Sequence, residues 1–291
     1  MNNKFFKSDF AKKCRFHWDF ISNHKDLERW NILSDNFNIS KNREEKENNR
    51  CQIPKIIHQI WIGPKSFPQK YADWAKTWKL LNPSWEYKLW TEKELNNLNF
   101  INRNYFDNSK NIGFKSDLAR YEVLNLYGGL YLDTDFECIN PIPNYLLDYE
   151  FVSCVVFKDT PEIANGMMMS KKGAKIIKNL IRNIKKPSKN PNPINIIESS
   201  GAINLTSNYY HLDNEEKQKC LILPSNYFYP YPNFLLGKSI DIYDLCKPYT
   251  IGLHHWEMSW IKGSYLKRII RKSLKLLMYW FKLLKLNHLF N

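Results

Sequence analysis

The six cysteines (Cys14, Cys51, Cys138, Cys154, Cys220 and Cys246) include no CxxC pair and are scattered along a chain of 291 residues. That scatter excludes a zinc ribbon and a small disulfide-stapled scaffold, and predicts reduced, mostly buried thiols. No window offers the ~18–20 uncharged apolar residues of a membrane-spanning helix. Met1 to Phe20 mixes Lys, Asp and Arg with Phe, which excludes a signal peptide. No internal repeat is found. Acidic residues are missing from Lys262 onward, whereas Lys262, Lys267, Arg268, Arg271, Lys272, Lys275, Lys282 and Lys285 are all basic. These absences predict a cytoplasmic protein that can rest on a membrane without crossing it.

What is present is enough for a real core: 43% of the residues are hydrophobic and 15% aromatic. The length suits one sizeable α/β domain with appendages. The net charge of +14 suits an anionic partner, but more than half of the excess sits in the tail. At 100° per residue, Leu266, Ile269, Ile270, Leu274, Leu277, Trp280, Phe281 and Leu284 share one face of that tail, opposite its basic residues. Such a pattern predicts an amphipathic helix over 262–291 lying on an anionic membrane surface. It does not resemble a continuous phosphate-tracking groove, which argues against a nucleic-acid partner. The chain therefore divides into a helix-leaning extension over 1–50, ending in the charged run Lys41–Arg50, a central domain over 51–261, and the basic helix 262–291.

Within the central domain, Lys55 to Gly63 reads as an apolar strand closed by Gly63-Pro64. A helix is expected around Tyr71–Leu81, ended by Asn82-Pro83, and a second strand at Trp85–Trp90. Ser116 is placed as the N-cap of a helix that Gly128-Gly129 terminates. Leu130-Tyr131-Leu132 reads as a buried strand with Asp133-Thr134-Asp135 at its carboxyl end, and Phe151–Phe157 as a further strand. Residues 185–193 read as a loop. Alternation of strands and helices predicts a largely parallel sheet, whose ligands bind beyond the carboxyl ends of the strands.

Two carboxylates at i and i+2 just past a strand can grip a hard divalent cation such as Mg²⁺ or Mn²⁺ and share it with substrate phosphates. Asp-x-Asp alone is commonplace, often a turn or a cap. Asp117 and Arg120, at i and i+3, share a helix face and could form a plain surface pair. Alternatively, Asp117 would accept from a ribose hydroxyl, with Arg120 orienting it or meeting a phosphate.

Three separated segments occur in order: Ile53 to Gly63 (IPKIIHQIWIG), Lys115 to Tyr121 (KSDLARY), and Gly128 to Asp135 (GGLYLDTD). Together they resemble the DXD-containing glycosyltransferases. This family includes outer-chain mannosyltransferases, α1,4-galactosyltransferases and bacterial capsule enzymes, with the glucosylating clostridial toxins as relatives. The resemblance spans roughly Ile53 to Trp260. It implies an α/β GT-A fold with a Rossmann-like sheet, a nucleotide-sugar donor, a glycan or lipid-linked glycan acceptor, and transfer with retention of configuration. By position, it implies that Trp61 stacks on the donor base, which weakly favours a UDP-sugar, and that Asp117 and Arg120 form the ribose-and-phosphate pair. Asp133 would lie near ribose and metal, and Asp135 would bind the metal directly. Leu253 to Trp260 (LHHWEMSW) resembles the family's late histidine motif. There His254 would complete the metal site, with His255 as the fallback, and Ser259 and Trp260 would close over the diphosphate. Asn165 to Met169 resembles the strand beneath the sugar pocket. Ser199 to Thr206 corresponds loosely to an acceptor-side loop but lacks its proline, and no role is assigned to it.

A phosphatase of the haloacid dehalogenase type also places Asp-x-Asp after an apolar strand. It expects Thr or Val where this chain has Glu137, and an acidic pair on a later strand where Glu215-Glu216 lies in a polar helical stretch.

Overall fold

The computed structural model describes residues 8–14, 24–44, 52–156, 161–186, 191, 193–233 and 240–257. The expected tail helix over 262–291, together with Ser259 and Trp260, lies outside the described residues. In the N-terminal stretch, helix α1 (Asp9–Lys13) starts at Ser8, whose hydroxyl accepts from the Ala11 N–H. Helix α2 (His24–Glu44) runs into the charged stretch expected to be a linker, taking up its first four residues. Phe10 on α1 and Trp30, Leu33 and Phe37 on α2 are buried in the same apolar cluster as the sheet.

The strand read at Lys55–Gly63 is β1 (Ile56–Trp61), buried at its four central residues. Helix α3 (Gln69–Leu81) follows and ends at Asn82, before Pro83. It buries Tyr71, Trp74, Ala75 and Trp78, spaced at three and four residues so that one face meets the body. Strand β2 (Glu86–Thr91) pairs parallel with β1 over six residues.

Helix α4 (Ile112–Tyr127) begins earlier than a cap at Ser116 predicts. The Asn111 side chain accepts from the Phe114 N–H, so Asn111 is the cap. Ser116 lies inside the helix, its hydroxyl accepting from Arg120. Gly113, a poor helix former, obscures this start in the sequence. Gly128 ends the helix, and Gly129 (φ +98°) opens β3 (Gly129–Leu132). A Cβ on Gly129 would fall 2.5 Å from the Ile56 carbonyl oxygen, so only glycine lets the chain turn so close to β1. His58 secures that turn. Its Nε2 donates to the Gly128 carbonyl at 2.7 Å, and its Nδ1 accepts from the Trp90 indole at 3.1 Å. Burial, above all, lowers the His58 pKa from the ordinary 6.5 to about 4, so the ring is neutral, as this bonding requires.

The short strand β4 (Phe136–Cys138) follows β3. Strand β5 (Phe151–Cys154) is shorter than the predicted 151–157, and Phe157 is not among the described residues. Then come β6 (Met167–Ser170), α5 (Lys175–Arg182), α6 (Ala202–Tyr210), β7 (Cys220–Leu223) and β8 (Gly252–His254). The three methionines of β6 are buried at its core.

The main sheet has the order β2-β1-β3-β6-β5-β7. Three of its five pairings are parallel; β6 runs against both β3 and β5, so the other five strands share one direction. The largely parallel α/β sheet expected from the alternation is therefore present. β1 has β2 on one side and β3 on the other, and successive connections leave it in opposite directions. The crevice between the carboxyl ends of β1 and β3 is the topological switch point of the sheet, where ligands bind in folds of this kind. A separate ribbon, β4 with β8, lies beside this crevice.

Candidate metal and donor site

The backbone makes the site before any side chain does. Beyond β3, the Asp133 N–H donates to the Gly166 carbonyl at 2.8 Å, and the Phe136 N–H returns to the Asp133 carbonyl at 3.2 Å. That turn presents Asp133 and Asp135 at the carboxyl end of the sheet. Antiparallel pairing of Phe136 with His254 then brings β8 alongside. The His254 Nε2 lies 3.2 Å from Asp135 Oδ1 and 3.9 Å from Asp133 Oδ2. One ligand atom from each of the three residues falls within 4.8 Å of the other two.

This donor set suits a hard divalent ion. It offers two carboxylates and one imidazole, and Mg²⁺ or Mn²⁺ binds such oxygen-rich sets at about 2.1 Å while keeping other positions for substrate or water. Asp133 is the more open carboxylate, its side chain 31% exposed, against 11% for Asp135.

The two carboxyls are tuned in opposite directions. Burial pushes Asp133 up, and the neighbouring Asp135 adds to the rise, against the pull of Arg120, His254 and the Tyr131 hydroxyl. For Asp135, burial also pushes up, but the charge and hydrogen bond of His254 and the Glu257 N–H outweigh it and hold the group below the usual carboxylate range. The Glu257 N–H donates to Asp135 Oδ2 at 2.8 Å. The Trp256 N–H donates to His254 Nδ1 at 3.3 Å, which leaves Nε2 directed at Asp135 Oδ1.

Asp117 and Arg120 are not the plain surface pair that their spacing allows. Both side chains are 8% exposed, with Arg120 Nη2 3.3 Å from Asp117 Oδ1 and Nη1 3.3 Å from Asp133 Oδ1. Arg120 also donates to the Asn165 carbonyl at 2.7 Å and packs its guanidinium over the Tyr131 ring at 4.6 Å. Both oxygens of Asp117 have donors within the chain: the Asn165 amide at 2.9 Å and the Ser200 hydroxyl at 2.7 Å. One buried cation thus bridges the helix carboxylate to the turn carboxylate, with hydrogen bonds on both oxygens of Asp117, as burial of charge demands.

Trp61 stands at the carboxyl end of β1, the strand that pairs parallel with β3. Its indole donates to the Lys65 carbonyl at 2.7 Å, and its ring meets Phe67 and Tyr71 edge-on at 5.6 and 5.5 Å. His255 is turned away from the triad. Its Nε2 lies 2.9 Å from Glu137 Oε2, and its ring stacks on Trp74 at 4.0 Å and 11°. The imidazole gathered with Asp133 and Asp135 is therefore that of His254. Glu215 and Glu216 pair with Lys219 on the short helix Asn214–Gln218, apart from this cluster.

Nothing in the sequence singles out Ser200, Asn165, Tyr131 or Gln59 as partners of the acidic groups. Tyr131 donates to Asp133 Oδ1 at 2.7 Å, and Gln59 donates to the Asp133 carbonyl at 3.2 Å. Ser200, Asn165 and Gln59 carry no spacing pattern, because they reach the site from other elements, whereas Tyr131 sits two residues before Asp133 at the end of β3. Gly166 carries a faint signal, a glycine just before a buried strand. A Cβ there would lie 2.6 Å from Asp133 Oδ2, so its absence makes room for the carboxylate.

Residues 68–152 match the family described as glycosyltransferase sugar-binding region containing DXD motif. Inositol phosphoceramide mannosyltransferase 3 of Schizosaccharomyces pombe is 33% identical over 150 residues, covering 49% of this chain and 40% of that protein. An uncharacterised glycosyltransferase of Acanthamoeba polyphaga mimivirus is 28% identical over 141 residues, covering 45% of this chain and 55% of that one. The chain thus spans about half or less of these relatives' lengths. Among solved structures, the catalytic domain of alpha-toxin from Clostridium novyi superposes with a TM-score of 0.49 at 10% identity, covering 88% of this chain and 89% of that chain.

Proposed function

We propose that this chain, a member of the DXD-containing glycosyltransferase family through residues 68–152, transfers a hexose from a nucleotide-sugar to a glycan or lipid-linked acceptor. The observation that carries the reading is the convergence of Asp133 and Asp135, which lie within the family segment, with His254 at the switch point of the sheet. These three residues would hold Mg²⁺ or Mn²⁺. When bound, the ion supplies neutralisation of the charge that develops on a departing diphosphate.

The chain's own groups have separable tasks in this scheme. Arg120 fixes Asp133 and Asp117 in one frame, leaving the more open Asp133 carboxylate facing the crevice. Asp117 would accept from the donor ribose, its carboxylate oriented by the Ser200 and Asn165 donors on its two oxygens. Trp61 borders the crevice where a base would stack, an interaction of ~1–3 kcal/mol. Ser259 and Trp260 follow directly on the segment that contacts Asp135, and would close over the diphosphate. Retention of configuration and a UDP-linked donor follow from the family resemblance. The mannosyltransferase names of the relatives add GDP-mannose to the donors to be tested.

No described helix is long and apolar enough to cross a membrane. A lipid-linked acceptor would nevertheless bring the enzyme to a membrane surface. The basic face of 262–291 would hold it there peripherally, on the cytoplasmic side.

The direct test is release of nucleoside diphosphate from UDP-glucose, UDP-galactose and GDP-mannose by the full chain with Mn²⁺. Release from one donor, abolished by EDTA, is expected. No release from any of a broad donor panel by folded protein would overturn the reading.

A further inference from the structure

We propose that Glu137 and His255 are positioning residues that hold His254 against the Asp133–Asp135 turn and thereby set the site's affinity for its cation. The inference rests on the metal-site reading and goes beyond it, because neither residue touches the three candidate ligands with its side chain.

The need for such a device follows from the ribbon's size. His254 is delivered by β8, which has three residues and pairs only with β4, itself three residues long. A two-stranded ribbon of three residue pairs is marginal on its own. Helix α3 steadies β4: the Trp78 indole donates to the Phe136 carbonyl at 3.0 Å, and the Thr77 hydroxyl accepts from the Cys138 N–H at 2.8 Å. Beyond β8, the His255 N–H reaches the Asp135 carbonyl at 2.9 Å, so the chain passes directly over the turn that carries the acidic pair.

The side chains lock that passage. His255 Nε2 lies 2.9 Å from Glu137 Oε2, which also accepts from the Tyr243 hydroxyl at 2.9 Å. On its face, the His255 ring stacks on Trp74 of α3. Two residues further on, Glu257 is held by Lys70 at 2.7 Å, while its own N–H donates to Asp135. The ribbon is thus closed by a carboxylate–imidazole link across its end and by an aromatic ring beneath it. Cutting the link frees the 254–257 segment to move relative to the acidic turn. Residues bonded directly to a metal ligand typically change metal affinity about 10–100-fold when removed, and this link, one contact further out, is placed at the low end of that range.

The test is calorimetric titration of the full chain with Mn²⁺ alone, for wild type, Glu137→Ala, Glu137→Gln and His255→Phe, with circular dichroism and Tm recorded for each. Glu137→Ala is expected to weaken Mn²⁺ binding about tenfold. His255→Phe keeps a ring on Trp74 but loses the link, and is expected to match it. Glu137→Gln retains an acceptor for both the imidazole and Tyr243 and is expected to stay within about threefold of wild type. Wild-type affinity in both Glu137→Ala and His255→Phe would overturn this proposal alone. Absence of Mn²⁺ binding by folded wild-type protein would remove the metal-site reading, and this proposal with it.

Discussion

His254 Nε2 stands 3.2 Å from Asp135 Oδ1, joining the last described strand to a turn that follows the third. The ring is held edge-on to Phe136 at 4.6 Å, so the contact is set by packing as well as charge. With Asp133, this pair forms the proposed working centre of the molecule.

Asp133→Asn and Asp135→Asn each keep size and hydrogen-bonding capacity but lose the charge a cation needs. Sugar transfer should fall at least ~100-fold in either variant, equivalent to about 3 kcal/mol of transition-state stabilisation. Circular dichroism should be unchanged. Turnover within a few-fold of wild type would remove the acidic pair from the chemistry.

Gly166→Ala tests the room left for Asp133. The new Cβ would lie 2.6 Å from Oδ2, so the carboxylate must move. Activity should drop at least ~10-fold, since a misplacement of about 1 Å can cost ~100-fold in rate. Unaltered activity would show that the observed position of this carboxylate is not the working one.

His58 predicts a pH dependence of stability that has nothing to do with catalysis. Its folded-state pKa is lowered to about 4, chiefly by burial, so the fold favours the neutral ring. The unfolded chain takes up this proton below about 6.5. Stability that is fully present above about 6.5 is therefore lost as the pH falls toward 4. Between about pH 7.5 and pH 5 the loss from this group is about 2 kcal/mol. Urea unfolding of wild type and His58→Gln should show the gap between them shrinking by about that amount. A gap that stays constant would mean that His58 takes up its proton equally in the folded and unfolded chain, so that the fold does not favour the neutral ring.

How far the sequence discloses these features depends on whether a residue acts locally or through the tertiary fold. The β1 and β3 strands, the stop at Gly128 and the Asp133/Asp135 turn are legible because each is a run of neighbours with its own local logic. The sequence pattern puts the cap at Ser116 instead of Asn111 because both residue types cap helices, and Gly113 breaks the helical pattern between them. The pairing of Arg120 with Asp133, and of Ser200 with Asp117, is illegible in kind. Those partners meet only once α4, β3 and the approach to α6 have packed together. The two adjacent histidines show the same limit. Spacing cannot separate them, whereas strand pairing sends His254 to the acidic turn and His255 to Glu137 and Trp74.

The metal-and-donor assignment is tested most directly by calorimetric titration of the full chain with UDP and with GDP, each in Mn²⁺ and in EDTA. One of the two nucleotides should bind in Mn²⁺, and EDTA or Asp135→Asn should weaken that binding at least ~10-fold, because diphosphate and carboxylates share the ion. Failure of both nucleotides to bind folded protein in Mn²⁺, or binding indifferent to EDTA, would contradict it.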